Sequence, residues 1–387
     1  MNRARALVVL LALLASAECF AGKPPAMELA VTEGHFSDDP AGSALREIAF
    51  ERAWELGATH IRAFLPWVKP ASGVYDDSYL YFPAFDSFVN EAISRGFQVQ
   101  LTLTGYAAAS FGSTRTGVDP DPREYAHFVT ACARHFLGRV HRYSVWNEPN
   151  LPVFLMPAPV ASASSFVGTL GVLGSGSQPR DYRKDIQPKN ALRYRQLYGE
   201  GYDAVKKVDS TAQVLVGELS SSHDPLVFMK LMAPPGEHMV ADGFAYHPYQ
   251  FAVPPDENPK STGGGAGISR LAAVKWLLEK LASEHRLNTR QGGEVPLYLT
   301  EFGYQKLEGR TFKEPAVQIP EATRAAWLPI AYQDALDAGA KQMLYFQLVP
   351  TPPDYNWDTS ILDSAGSPLP SFTALKAWAA SKGYATH

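Results

Sequence analysis

From Met27 onward, short β-branched or aromatic runs alternate with amphipathic helical runs, and this alternation restricts the fold more than any other feature of the chain. Repeated strand–helix units argue for parallel strands joined by helical crossovers. Eight strand candidates can be read, at about 27–32, 59–64, 97–104, 142–147, 213–218, 243–248, 296–301 and 342–348. The intervening helices are marked by their ends. Ser43 to Leu56 closes at Gly57, Pro83 to Ser94 at Gly96, and Asp121 to Phe136 opens on Asp-Pro and closes at Gly138. Ala191 to Val208, Ile268 to His285, Pro320 to Asp337 and Ser371 to Ser381 carry similar signals, and a shorter helix is expected over Pro225 to Met232. Eight such units close most simply into an α/β (β/α)8 TIM barrel. An open sheet binding a nucleotide would need a glycine-rich phosphate turn after its first strand; Thr32-Glu33-Gly34-His35 is not one.

The extreme N-terminus stands outside this rhythm. Arg3 and Arg5 precede the apolar run Ala6 to Ala15, followed by small residues at Ala15, Ser16 and Ala17. The pattern predicts a signal peptide over residues 1–21, giving a secreted or periplasmic protein, with a membrane anchor or lipid attachment at Cys19 as weaker readings. Residues 22–387 then form one catalytic domain, since α/β barrels of this length are single units. With 35 basic and 39 acidic residues and no long run of either sign, the chain has no electrostatic footprint for nucleic acid, and no stable membrane insertion is expected after processing. Two cysteines make neither a disulfide framework nor a metal cluster, and Cys132 reads as a small core residue. Long loops are expected at 151–189, 252–267 and 350–370, after strands four, six and eight. Such loops lie at the C-terminal face, where barrel active sites sit. No repeat or second domain is visible, and a monomer is expected.

Two strand ends carry chemistry. Strand four ends Trp146-Asn147-Glu148-Pro149, and strand seven ends Thr300-Glu301-Phe302-Gly303. In a barrel these ends face each other across the mouth. Paired carboxyls are what glycosidic cleavage requires, one to protonate the leaving oxygen and one to attack or to direct water. A spacing of about 5–5.5 Å gives retention and about 6.5–9.5 Å gives inversion, a choice the sequence leaves open. Arg62, ending strand two, and Tyr249 are candidate donors to Glu301.

These two segments resemble the strand-four and strand-seven signatures of glycoside hydrolase clan A, in the family 39 and family 5 neighbourhood. The resemblance runs in order from strand two to strand seven. It implies a retaining glycosidase with Glu148 as acid/base, Glu301 as nucleophile and Asn147 on the sugar 2-hydroxyl. Arg62 matches the clan's strand-two arginine, and Phe244-Ala245-Tyr246-His247-Pro248-Tyr249 is similar to its strand-six segment, giving site roles to His247 and Tyr249. Trp67, Tyr106, Phe154, Tyr304, Tyr355 and Trp357 are available as stacking platforms for sugars. Strand eight departs from the clan, with Tyr345-Phe346-Gln347-Leu348 where a tryptophan is usual, so Trp357 is expected to take that place. Trp146 is expected to pack in the wall. No cofactor and no metal is expected: the histidines show no close pair with a carboxylate on one helix face. The expected partner is a poly- or oligosaccharide. A non-catalytic glycan-binding barrel and an arabinofuranosidase-type exo-glycosidase are the alternatives.

Overall fold

The computed structural model describes residues 26–107, 115–156, 184, 186–258, 266–311, 317–353, 355 and 357–387. The expected signal peptide, Cys19, most of the expected 151–189 loop and parts of the other two loops lie outside the described residues.

Eight parallel strands form one closed ring: β1 (Glu28–Thr32), β2 (His60–Pro66), β3 (Gln98–Thr104), β4 (Arg142–Val145), β5 (Gln213–Ser220), β6 (Gly243–His247), β7 (Leu297–Leu299) and β8 (Gln342–Phe346). β1 pairs with β2 on one edge and with β8 on the other, which closes the barrel. Each strand is followed by a helix: α1 (Ala44–Glu55), α2 (Phe82–Ser94), α3 (Pro122–His135), α4 (Gln187–Val208), α5 (Pro225–Met232), α6 (Leu271–Ser283), α7 (Glu321–Asp337) and α8 (Pro370–Ser381). The helix starts follow local chemistry. In α3, Asp121 caps the first turn by accepting from the backbone N–H groups of Arg123 at 2.8 Å and Glu124 at 3.0 Å, with Pro122 where no donor is needed. α4 starts four residues before the expected Ala191, because Pro188 sits in the first turn of the helix and does not end the preceding loop.

Alternate strand residues face the helices. Val31, Ile61, Leu101, Tyr143 and Val216 join helical side chains such as Phe50, Phe88 and Phe128 in one buried cluster. The barrel interior holds a separate small cluster of Leu215, Ala245 and Tyr298. Cys132 is a free, buried thiol on α3, as expected of a core residue.

One irregularity changes what faces inward. The pairing of β5 with β6 slips between Gly217 and Leu219, leaving Glu218 as an extra residue. Strict alternation would turn Glu218 outward with Val214 and Val216; the bulge turns it into the barrel. Gly217 makes this possible: its φ is +109°, and a Cβ there would sit 2.5 Å from the carbonyl oxygen of Ala245.

At the N-terminal end of the ring, Arg142 donates to both oxygens of Glu28, at 2.7 and 3.1 Å, and to Gln213 at 2.8 Å. Its guanidinium lies over the Tyr298 ring, 4.8 Å from the centroid. This polar layer ties β1, β4, β5 and β7 together below the apolar interior.

Candidate active site

At the opposite, C-terminal end, side chains from several strands meet. Arg62 on β2 is fully buried and reaches across the barrel, donating to Glu301 at 2.7 Å, Asn147 at 3.1 Å, Glu218 at 2.8 Å and Thr102 at 2.8 Å. Accepting through Oδ1 orients the Asn147 amide and leaves its NH2 as the donor group. Tyr249 donates its hydroxyl to Glu301 at 3.0 Å. His247 stands between carboxylates: Nε2 is 2.6 Å from Glu218, and Nδ1 is 3.0 Å from Glu148 and 3.5 Å from Glu301. Thr300 donates to Glu218 at 2.8 Å.

Glu148 and Glu301 therefore occupy one compartment. A carboxylate oxygen of each, together with a ring nitrogen of His247, lies within 4.8 Å of the others. Both glutamates retain a small exposed edge, 8 % for Glu148 and 6 % for Glu301, whereas Glu218 has none. The first two can meet a ligand and the third cannot.

The backbone is strained where it presents these groups. Trp146, Glu148 and Glu218 all have positive φ, at 69°, 40° and 49°. Each such residue costs about 1–3 kcal/mol and is held only by its surroundings. Trp146 is held by aromatic packing on Trp67 and Tyr125, as expected of a wall residue. Glu148 is held by a backbone hydrogen bond from its own N–H to the Glu218 carbonyl, 2.8 Å.

The charges divide unevenly. Burial pushes the Glu148 carboxyl up and the negative charge of Glu301 adds to that, against the opposing pull of His247. Burial would also raise Glu218, but Arg62 and His247 outweigh it and hold that carboxyl at about 2. Burial works against protonation of His247, yet Glu301, Glu148 and Glu218 override it and lift the imidazole to about 9. The surroundings thus favour the charged forms of Glu218 and His247 beside the Arg62 guanidinium and bias the Glu148 carboxyl toward its neutral form.

Glu148, His247 and Glu301 are, among the described residues, the one cluster of this kind with metal-ligand spacing. In that cluster Glu301 is already paired with the Arg62 guanidinium at 2.7 Å.

The expected stacking aromatics separate into two groups. Trp357 packs edge-on to Tyr249 with ring centroids 5.0 Å apart, beside the donor to Glu301. Tyr106 and Phe154 pack on each other at 5.9 Å across the loops that follow β3 and β4, and both keep part of their surface exposed. Tyr355 is 47 % exposed on the loop after β8. Trp67 and Tyr304 are placed elsewhere. Trp67 is buried among Tyr125, Phe128 and Trp146 with its indole N–H on Tyr75 at 2.6 Å, and Tyr304 is buried against Phe302 and Trp327. Both turn toward the helices, so neither offers a face to a ligand.

Besides Thr102 and Thr300, three residues at or beside the site were not singled out from the sequence. Glu218 sat in the apolar run Val214-Leu215-Val216-Gly217-Glu218-Leu219, where a lone carboxylate beside a glycine was the available signal. Glu33, just after β1, is buried and accepts from the backbone N–H groups of Leu348 and Val349, both at 2.8 Å, which pins the chain leaving β8. Phe64, two residues beyond Arg62 on β2, is half-buried with its ring 4.3 Å from the Arg62 guanidinium.

No protein-family model matches the chain. The barrel is similar to a family 39 glycoside hydrolase from Bacteroides cellulosilyticus, with a TM-score of 0.63 and 19% identity over 92% of this chain and 63% of that one. It also resembles the GH39 enzyme from Xanthomonas axonopodis pv. citri, with a TM-score of 0.57 and 16% identity over 93% of this chain and 67% of the other. Among curated proteins, beta-glucosidase 47 of Arabidopsis thaliana is 30% identical over 106 residues. That stretch is 26% of this chain and 20% of the plant protein.

Proposed function

We propose that this chain is a retaining glycoside hydrolase that cleaves O-glycosidic bonds of an oligo- or polysaccharide by double displacement. One observation carries the reading: two carboxylates from opposite staves, Glu148 and Glu301, lie within 4.8 Å of one another in one exposed-edge compartment. So close an approach of one oxygen from each carboxyl is compatible with direct attack by a carboxylate on a sugar held between them. The similarity of the barrel to family 39 enzymes supports the same chemistry.

In the first step, the Glu148 carboxyl gives its proton to the glycosidic oxygen as Glu301 bonds to the anomeric carbon, and the aglycone leaves as an alcohol. In the second, the Glu148 carboxylate takes a proton from water, the resulting oxygen attacks the anomeric carbon, and Glu301 leaves as a carboxylate. Hydrogen bonds from Arg62 and Tyr249, one to each carboxylate oxygen, aim Glu301. The Asn147 NH2 is the donor for the neighbouring sugar hydroxyl, and Trp357, Tyr106 and Phe154 supply apolar faces along the cleft. The protein works outside the cytoplasm after losing residues 1–21, as a monomer, on a neutral carbohydrate.

The test is a panel of poly- and oligosaccharides and aryl glycosides, followed by Glu301→Ala on the substrate found. Hydrolysis should be abolished and partly restored by external azide, which forms a glycosyl azide. Near-normal turnover by Glu301→Ala would remove Glu301 from the mechanism.

A further inference from the structure

We infer that Glu218 is a positioning residue: through one carboxylate oxygen it fixes His247 with Nε2–H bound and Nδ1–H directed at Glu148 and Glu301, so that the acid/base acts against a permanent imidazolium. The inference deepens the proposed hydrolase reading and rests on it for its kinetic part only.

The geometry is specific. A single oxygen of Glu218 accepts from Arg62 on β2 and from Thr300 at the end of β7, both at 2.8 Å, and lies 2.6 Å from Nε2 of His247 on β6. Two donors, one of them a guanidinium, on one fully buried oxygen describe an ionised acceptor with no proton of its own to give, so at 2.6 Å the His247 Nε2 is the donor and carries a proton. Its Nδ1 then faces Glu148 at 3.0 Å and Glu301 at 3.5 Å. The charged groups in contact with the imidazole are Glu148 just after β4, Glu218 on β5 and Glu301 just after β7, with Arg62 from β2 held behind Glu218 and the Tyr249 hydroxyl behind Glu301. Besides Glu148, two carboxylates, Glu218 and Glu301, share the single guanidinium of Arg62, which favours a second cation between them, and the imidazole lifted to about 9 agrees.

The fold invests in this residue. A bulge, a glycine that admits no side chain and a left-handed backbone at φ 49° are all needed to turn Glu218 inward. The same residue's carbonyl accepts from the Glu148 N–H, so one strained peptide sets both the acid/base backbone and its charged neighbour.

The consequence is kinetic. When Glu148 gives up its proton, the new carboxylate is met at once by the Nδ1–H of a cation, which lowers the cost of ionisation in a buried place. Without Glu218, His247 becomes a neutral ring whose Nδ1 can turn acceptor, and Glu148 loses that stabilisation.

Two measurements decide it. Imidazole nitrogen NMR on the wild-type protein, with His247 assigned by its absence in His247→Asn, should show an imidazolium with both nitrogens protonated at pH 7; a neutral ring there overturns the inference whatever the activity. In Glu218→Gln the titration of His247 should fall by at least about two pH units. With the substrate found by the panel, that variant's kcat should drop about 10–100-fold with KM changed less than about threefold and the kcat pH profile displaced. Glu218→Asp, which keeps the charge, should keep the wild-type His247 titration. A Glu218→Gln protein that only melts earlier, with the His247 titration and the pH profile unmoved, assigns Glu218 a purely structural role and refutes the inference.

Discussion

The two ends of the barrel each bring an arginine, a histidine and glutamate into close contact, yet they are tuned in opposite directions. At the N-terminal end Arg142 and Glu28 form a matched bidentate pair, and His60 lies 3.6 Å from Glu28. Burial and the neighbouring Arg142 outweigh Glu28 and press the His60 imidazole down to about 4, so it stays neutral. At the C-terminal end Arg62 faces two carboxylates and a third stands within reach of His247, which is lifted to about 9. A balanced ion pair closes a barrel; an excess of buried carboxylate keeps protons available for transfer. The comparison separates groups placed for stability from groups placed as the proposed chemistry requires.

The largest expected effect divides the two ends outright. Glu148→Gln should cut kcat/KM by about 10²–10⁴-fold on substrates with poor leaving groups while the melting temperature stays the same or rises, because the substitution relieves carboxylate excess. Loss of turnover with substrate binding retained marks an enzyme, whereas a glycan-binding barrel would change little. Arg142→Met, at the other end, should leave turnover per folded molecule unchanged and cost about 2 kcal/mol in denaturant unfolding. That is less than a fully buried pair loses, because Glu28 is one-third exposed. A catalytic loss in Arg142→Met without loss of stability would dissolve the distinction.

pH sharpens the contrast between the two histidines. The folded value of His60 lies below its value in the unfolded chain, so the unfolded state takes up the proton first as pH falls from 6.5 to about 4. Stability should decline across that window by on the order of 2 kcal/mol, and His60→Gln should flatten the decline. The folded value of His247 lies above the unfolded one. Its contribution is complete below pH 6.5 and is lost as pH rises through about 9. Equilibrium unfolding at several pH values checks both slopes, and equal slopes for the two residues would contradict the charge assignment. The smallest expected effect belongs to the rim: Trp357→Ala should lower kcat/KM about tenfold, chiefly through KM, with little change in unfolding free energy.

Much of this was legible in the sequence, for physical reasons. Parallel strands covered on both faces read as continuous apolar runs, and the helices end at Gly57, Gly96, Gly138, Gly339 and Gly383, all with positive φ in the structure. Glu148, Glu301, Asn147, Arg62, His247 and Tyr249 converge because strand ends in a closed ring must face one mouth. What stayed hidden depends on the direction of single side chains. Strict alternation assigns Glu218 to the helix side, and a bulge of one residue reverses it. Trp67 and Trp357 look equally eligible in sequence as strand-end aromatics. Trp67 turns into the helical layer, where its N–H finds Tyr75, whereas Trp357 comes from a loop and settles against Tyr249.

The central claim is that Glu148 and Glu301 act on one anomeric carbon, with Glu301 forming a covalent bond to it. Intact-protein and peptide mass spectrometry after incubation with 2-deoxy-2-fluoro glycosides matched to the substrate found by the panel addresses this directly. The account predicts one sugar per chain attached at Glu301, and none in Glu301→Gln. A sugar attached to Glu148 or Glu218, or rapid hydrolysis whose first product has the inverted anomeric configuration, would contradict it.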